Sequence, residues 1–280
     1  WGLGADGTVG ANKNSIKIIG DHTNKYAQAY FAYDSKKSGG VTISHLRFGD
    51  VPIKSTYLIN MADFVACHNQ AYITRYNMVQ DIKPGGTFLL NCQWDDKELD
   101  SHLPGQVKKY IAKNNIKFYT IDGVDIGKKI GLGNRINTVL QSAFFKLANI
   151  IPIDEAIKYM KDAATYSYSK KGDAIVKMNH DAIDAGVNGI KEVKVPAAWA
   201  NAADTHMGMD AATGDNKVLV DFVNNIQMPC NAQDGDSLPV STFVHMADGT
   251  FPQGSAAYEK RGIAVDVPVW NSDNCIQCNF

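Results

Sequence analysis

The two thiols at Cys275-Ile-Gln-Cys278 sit at the C-x-x-C spacing used by metal centres and dithiol redox pairs. Two thiolates make half of a four-coordinate zinc or iron–sulfur set, so the motif is expected to need ligands from elsewhere. The spacing alone admits a zinc ribbon, a thioredoxin-like pair or a ferredoxin-type run, with a lean to iron–sulfur. The chain starts at Trp1 without a Met or a targeting segment and stops at Phe280. It is expected to be an internal piece of a longer polypeptide.

A second candidate is the run Gly2-Leu-Gly4-Ala-Asp-Gly7-Thr-Val-Gly10-Ala-Asn-Lys13. Gly2, Gly4 and Gly7 fit G-x-G-x-x-G, but no strand is expected before them, so a dinucleotide fold is unsupported. No G-K-[ST] follows, which excludes a P-loop. What remains is general: small residues let backbone N–H groups approach an anion, and a helix predicted over 10–20 puts its positive end behind them. The competing reading is a tight turn that needs glycine.

Three further polar positions are weak alone. Lys36-Lys37 sit on a connection where exposed lysines are ordinary, and where a cation can also pair with a phosphate. Asn137 lies in the first turn of a helix entered through Gly131-Leu-Gly133, and Asn179 near a helix start; capping or a satisfied core contact would explain either. The seven histidines show no paired ligand spacing, and no G-x-S-x-G elbow appears. Cys67, beside His68, reads as a small buried apolar residue at a strand end. No catalytic residue is assigned.

These groups need a scaffold, and the chain has material for one. With 45% apolar and 20% charged residues it can build a sizeable core. A net charge of −1 gives no electrostatic case for nucleic acid or an anionic membrane surface. No run of about 20 apolar residues is present to span a bilayer. Five scattered cysteines do not form a secreted disulfide framework, which points to a reducing compartment.

Along residues 1–195, strand-like and helix-like segments alternate, predicting an α/β domain with a mixed sheet and flanking helices. Residues 26–33 and 41–48 read as a hairpin around Asp34-Ser-Lys-Lys-Ser-Gly-Gly40. Residues 62–67 and 85–91 read as buried strands, with a helix around 71–79 between them. A helix is predicted over 103–114 and a strand over 116–121. Helices over 135–149, 153–167 and 173–189 close the domain. Residues 196–238 lack a period apart from a short helix at 218–226, and read as a linker or covering arm. Residues 239–270 read as an irregular strap, and the cysteine motif follows in 271–280.

Taken together the motifs resemble the pyruvate:ferredoxin (flavodoxin) oxidoreductase family. The resemblance rests on Gly4-Ala-Asp-Gly-Thr-Val-Gly-Ala-Asn-Lys13, Asp34-Ser-Lys-Lys-Ser-Gly-Gly40, Leu46-Arg-Phe-Gly49 and Ala62-Asp-Phe-Val-Ala-Cys-His-Asn69. Gly85-Gly-Thr-Phe88, Ala143-Phe-Phe-Lys-Leu-Ala148, Tyr258-Glu-Lys-Arg-Gly262 and Asp273-Asn-Cys-Ile-Gln-Cys278 complete it. It runs end to end and is weakest around 202–236; Phe280 stands where the family usually has Gln.

The resemblance implies oxidative decarboxylation of pyruvate on thiamine diphosphate by the whole enzyme. Electrons pass through [4Fe–4S] clusters to ferredoxin or flavodoxin, and acetyl goes to coenzyme A. It places this chain over the coenzyme A-binding domain (1–195), the Glu-Lys-Arg-Gly strap (239–270) and the truncated start of a [4Fe–4S] ferredoxin-like domain (271–280). It implies coenzyme A contacts at Ala5, Asp6, Gly7, Thr8, Val9, Lys37, Asn137 and Asn179, and cluster ligation by Cys275 and Cys278. A homodimer in the cytoplasm or a hydrogenosome-like organelle is implied for the full-length enzyme, and no turnover by this piece alone. The rival readings are a pyruvate:NADP oxidoreductase and a non-catalytic nucleotide-binding module.

Overall fold

The computed structural model describes residues 1–4, 6–34, 39–259 and 268–276. A short strand β1 (Gly2–Leu3) leads through the glycine-rich loop into α1 (Thr8–His22). The hairpin strands β2 (Tyr26–Tyr33) and β3 (Val41–Gly49) follow, in full antiparallel register from Tyr26↔Gly49 to Tyr33↔Thr42. With β1 beside β3 they form a three-stranded sheet in the order β1-β3-β2.

A second sheet is built from β4 (Ala62–Cys67), β5 (Ile82–Asn91), β6 (Lys117–Ile121) and β7 (Lys191–Glu192), in that order. The first three strands are parallel and β7 is antiparallel to β6, so the sheet is mixed, as expected. Trp1 joins the two sheets: its nitrogen donates to the Ala66 carbonyl at 2.8 Å, and its carbonyl accepts the His68 N–H at 2.9 Å.

The helices are α2 (Asp96–His102), α3 (Gly105–Lys113), α4 (Gly123–Ile130), α5 (Asn137–Ala148), α6 (Ile153–Tyr168), α7 (Asp173–Asn188) and α8 (Lys217–Phe222). Both faces of the parallel strands are covered, which is why they read as continuous apolar runs. Alternate residues part to opposite sides. Val65, Cys67, Phe88, Leu90 and Phe118 join Tyr72, Ile73, Val107, Ile111 and Trp199 in one core. Leu89 and Ile121 join Val139, Leu140, Ala143 and Ala182 of α5 and α7 in another. A third core ties α1 (Ile18, Ile19) to Phe145, Met160 and Ile183. Each large apolar side chain buried this way contributes about 1.5–3 kcal/mol before entropy is counted.

Two local expectations are corrected, and two features went unexpected. Residues 71–79 hold no α-helix; Asn69 caps a 3₁₀ turn at Gln70–Tyr72, and a second follows at Met78–Asp81. Tyr72, Ile73, Tyr76, Met78 and Val79 are all buried, so their pattern reported burial without a polar face to define a helix. The helix expected over 103–114 is α3, shortened at its start because Pro104 holds Leu103 extended, and the preceding α2 was not expected. The capping box of Asp95 and Glu98 that starts α2 is a sequence signature the pattern reading passed over. A strand does precede the glycine loop, but β1 pairs antiparallel with β3 and makes no βαβ unit.

The arm after residue 195 is docked. Trp199 donates its indole N–H to Asp100 at 2.7 Å, the Gly105 N–H donates to Thr205 at 3.0 Å, and Lys109 pairs with Asp204 at 2.6 Å. The helix expected at 218–226 extends from α8 through a π turn (Val223–Gln227) to Met228–Asn231.

Candidate functional site

The glycine loop takes its shape from one carboxylate. Asp6 accepts the Leu3 N–H at 2.9 Å on one oxygen and the Thr8 N–H at 2.8 Å on the other. Gly7 then turns the chain with φ 88°, a left-handed conformation that suits glycine, and α1 begins at Thr8. Thr8 is buried, and its hydroxyl shares a 2.9 Å hydrogen bond with Nδ1 of His68. The side chains of Asp6 and Thr8 are therefore committed to the loop itself. What the loop turns outward is backbone.

Gly7, the N-cap of α1, has no side chain to offer, and Asp6 takes only the Thr8 N–H of the helix. The Val9 and Gly10 N–H groups fall in its first turn, where an α-helix supplies no acceptor of its own. Gly10 faces open space, since a Cβ there would meet nothing within 4 Å. An anion at this end would meet unpaired donors and the positive end of the helix dipole.

Asn137 opens α5, whose N-terminus is also without a side-chain cap. Its amide lies against the loop: a Cβ on Gly7 would stand 3.1 Å from the Asn137 Cγ and 3.3 Å from Nδ2. Two helix N-termini thus meet at one place. The base of the hairpin is there too, because the Gly4 N–H donates to the Gly40 carbonyl at 2.8 Å. Of the expected contacts, Ala5 and Lys37, together with Lys36, lie outside the described residues.

Asn179 stands apart. It is 5% exposed on α7 and donates to the Ile175 carbonyl one turn back at 2.8 Å. Among the described residues no hydrogen bond joins it to the glycine loop. Its helix packs tightly on α5, with Gly186 against Ser142 and Val139. Lys13 points elsewhere, over the Phe31 ring of β2 at 5.6 Å.

The structure adds two residues the sequence reading did not assign to this site, both at the carboxyl ends of parallel strands: Asn91, which it passed over, and His68, which it weighed only beside Cys67. Asn91 ends β5; its Nδ2 donates to the His68 carbonyl at 2.8 Å and its Oδ1 accepts the Gly123 N–H at 2.9 Å. His68 follows the last residue of β4, and burial pushes its imidazole down to about 3, so it is neutral. Position was the available signal, since open α/β sheets gather function beyond their strand carboxyl ends. Cys67 is sealed in the core; burial pushes its thiol up to about 12, and it donates to the Asn69 carbonyl at 3.1 Å.

The metal motif is only partly in view. Cys275 is exposed and Cys278 lies outside the described residues. Among the described residues no three His, Cys, Asp or Glu side chains gather to hold an ion. None of the described helices is long and apolar enough to cross a membrane.

A family model described as pyruvate ferredoxin/flavodoxin oxidoreductase matches residues 1–189. A second, described as a domain of unknown function, matches residues 211–264. The pyruvate:ferredoxin oxidoreductase of Moorella thermoacetica is 58% identical over 279 residues, covering 100% of this chain and 23% of that protein. The mitochondrial NADP-dependent pyruvate dehydrogenase of Euglena gracilis is 44% identical over 282 residues, with 100% of this chain and 15% of that protein covered. The chain thus spans less than a quarter of these curated relatives. A solved pyruvate oxidoreductase subunit, PORC from Thermotoga maritima, superposes with a TM-score of 0.53 at 17% identity. That match covers 69% of this chain and 95% of the subunit, and it is a likeness of fold.

Proposed function

This chain belongs to the pyruvate ferredoxin/flavodoxin oxidoreductase family, and from that premise we propose that residues 1–195 bind coenzyme A as a substrate. The enzyme served is one that oxidatively decarboxylates pyruvate to acetyl-coenzyme A and carbon dioxide. The observation that carries the reading is the meeting of Gly7 and Asn137, where two helix N-termini whose N-cap residues lend no side chain converge beside the hairpin base.

The donor set suits a phosphorylated carrier. Backbone N–H groups at Val9 and Gly10 bind phosphate oxygens, and the Asn137 amide donates from the facing helix. Lys37, on the hairpin connection, adds the cation that backbone donors lack. Ala5, Asp6, Gly7 and Thr8 contribute the loop whose backbone the phosphates approach. Asn179, which stands apart from the loop on α7, is kept in the proposed site as a contact to a part of the carrier beyond its phosphates. Held by its phosphate end, the carrier has its thiol free to reach a reacting group elsewhere in the enzyme, which makes positioning this domain's task.

The rest of the enzyme supplies thiamine diphosphate chemistry and [4Fe–4S] electron transfer to ferredoxin or flavodoxin, within a homodimer in the cytoplasm or a hydrogenosome-like organelle. Cys275 and Cys278 are two candidate cluster ligands. Two thiolates do not make a four-ligand set, so no electron-transfer step is derived for this chain. Identity of 58% to the ferredoxin-linked relative against 44% to the NADP-linked one favours the ferredoxin or flavodoxin reading over a pyruvate:NADP oxidoreductase.

The test is calorimetric titration of the 280-residue chain with coenzyme A, with ADP and NAD as controls. Saturable binding that prefers coenzyme A and weakens in Lys37→Ala is expected. Equal affinity for all three would favour a generic nucleotide-binding module, and no binding by the folded chain would remove the assignment.

A further inference from the structure

A continuous set of hydrogen bonds runs from the far side of the parallel sheet to the glycine loop. The Gly123 N–H, at the start of α4, donates to Asn91 Oδ1 at 2.9 Å, and Asn91 Nδ2 donates to the His68 carbonyl at 2.8 Å. His68 Nδ1 shares a 2.9 Å hydrogen bond with Thr8 Oγ1. The Thr8 N–H donates to Asp6, whose other oxygen accepts the Leu3 N–H. Asn91 is 6% exposed and Thr8 2%, so their polar groups depend on these partners, while His68 and Asp6 are half-buried.

We infer that His68 and Asn91 are positioning residues that fix the glycine loop and the first turn of α1 in their binding shape. The inference rests on the coenzyme A reading of this loop. Space around the loop shows why positioning is needed. Gly2 leaves room for the neighbouring side chains: a Cβ there would fall 2.7 Å from Thr8 Oγ1 and 3.1 Å from Asp6 Oδ2. Gly7 occupies a left-handed turn that few residues hold unaided. Asp6 shapes the loop from within, but it moves with the loop. His68 is the side chain that joins Thr8 to the four-stranded sheet, beside the backbone bonds of Trp1 and Gly4, and Asn91 clamps the His68 carbonyl to β5 and α4.

His68 is matched to this task. A neutral imidazole next to the site adds no charge to compete for phosphate, and its Nδ1 fixes the Thr8 hydroxyl at one place. Neither residue touches the ligand in this scheme. Their effect passes through Thr8 to the backbone N–H groups that do.

The experiment is titration of coenzyme A into the 280-residue chain and its variants, with the thermal midpoint recorded for each. His68→Leu removes the link and is expected to weaken binding roughly tenfold, the most that one net hydrogen bond usually carries. His68→Asn restores a polar atom near the Nδ1 position and is expected to recover affinity to within about threefold, a rescue that packing loss alone would not give. Thr8→Val, which keeps the shape and deletes the hydroxyl, is expected to weaken binding as His68→Leu does. The double variant is expected to lose no more than either single one, because both remove the same bond. Additive losses, equal losses in His68→Leu and His68→Asn, or unchanged affinity in Thr8→Val would each overturn the inference. Should His68→Leu fail to fold, the Thr8→Val and His68→Asn comparison still decides. Failure of the wild-type chain to bind coenzyme A would instead remove the reading beneath it; binding that ignores these variants removes only the positioning roles.

Discussion

Gly7 and Asn137 lie 130 positions apart in sequence, yet a Cβ placed on Gly7 would sit 3.1 Å from the Asn137 Cγ. The glycine is held there twice over, by its φ of 88° and by the amide that fills the space where a side chain would go. That contact brings the starts of α1 and α5 to one point.

Gly7→Ala should therefore lose both stability and ligand. A left-handed φ costs an alanine about 1–2 kcal/mol, and the crowded amide adds to it. Urea denaturation is expected to show that loss, with coenzyme A affinity falling more than tenfold. Unchanged affinity would detach the loop from the ligand.

Asn137→Asp separates the two effects. A carboxylate in the first turn of α5 favours the helix dipole by about 0.3–1 kcal/mol, so the midpoint of unfolding should hold or rise. The same charge repels phosphate, and coenzyme A binding should weaken by an order of magnitude or more. Weakened stability with intact binding would contradict the placement.

Gly186→Ala probes the scaffold behind the site. A Cβ there would press into Ser142 Oγ and the Val139 carbonyl, which belong to the facing helix and have little room to move. Overpacking of this kind costs about 1–3 kcal/mol. A smaller effect in denaturant titration would mean that α5 and α7 can separate without cost.

Asp81 supplies a pH signature. Burial raises its carboxyl from the ordinary 3.8 to about 6. Between about pH 4 and 6 the native chain keeps a proton that the unfolded chain has released, so this residue lowers stability as pH rises through that window. Asp81→Asn should then stabilise by roughly 1–2 kcal/mol at pH 8 and by almost nothing below pH 4. An equal increment at both ends would show that the ionisation is not responsible.

The thiols should divide sharply toward iodoacetamide. Cys230 and Cys275 are exposed, whereas Cys67 and Cys92 are buried, with their thiols pushed up to about 12 and about 11. Mass spectrometry of the native chain should find the first two alkylated at pH 8 and the second two intact until urea is added. Early labelling of Cys67 would contradict its place in the core.

The strands and helices around the site were legible in the sequence because local pattern governs them. The strands expected over 85–91 and 116–121 carry Phe88, Leu89, Leu90, Phe118 and Ile121, buried on both faces, and α5, α6 and α7 carry helical spacing over three turns or more. Residues 71–79 misled for the same reason: apolar positions recur there because the segment is buried, while the Asn69 cap and the packing of Tyr72 on Tyr76 close it into 3₁₀ turns. The family resemblance rested on long motifs whose order is itself a sequence property.

Sequence by itself thus determined the α/β class, the place of the glycine turn and the family. Tertiary structure decided what those residues face. Nothing in the sequence indicates that Asp6 and Thr8 turn inward, that Asn137 closes on Gly7, or that His68 and Asn91 tie the loop to the sheet. Each of the last two relationships joins residues far apart in the chain, and a hydrogen bond depends on position to a few tenths of an ångström, which only the assembled sheet and its helices provide.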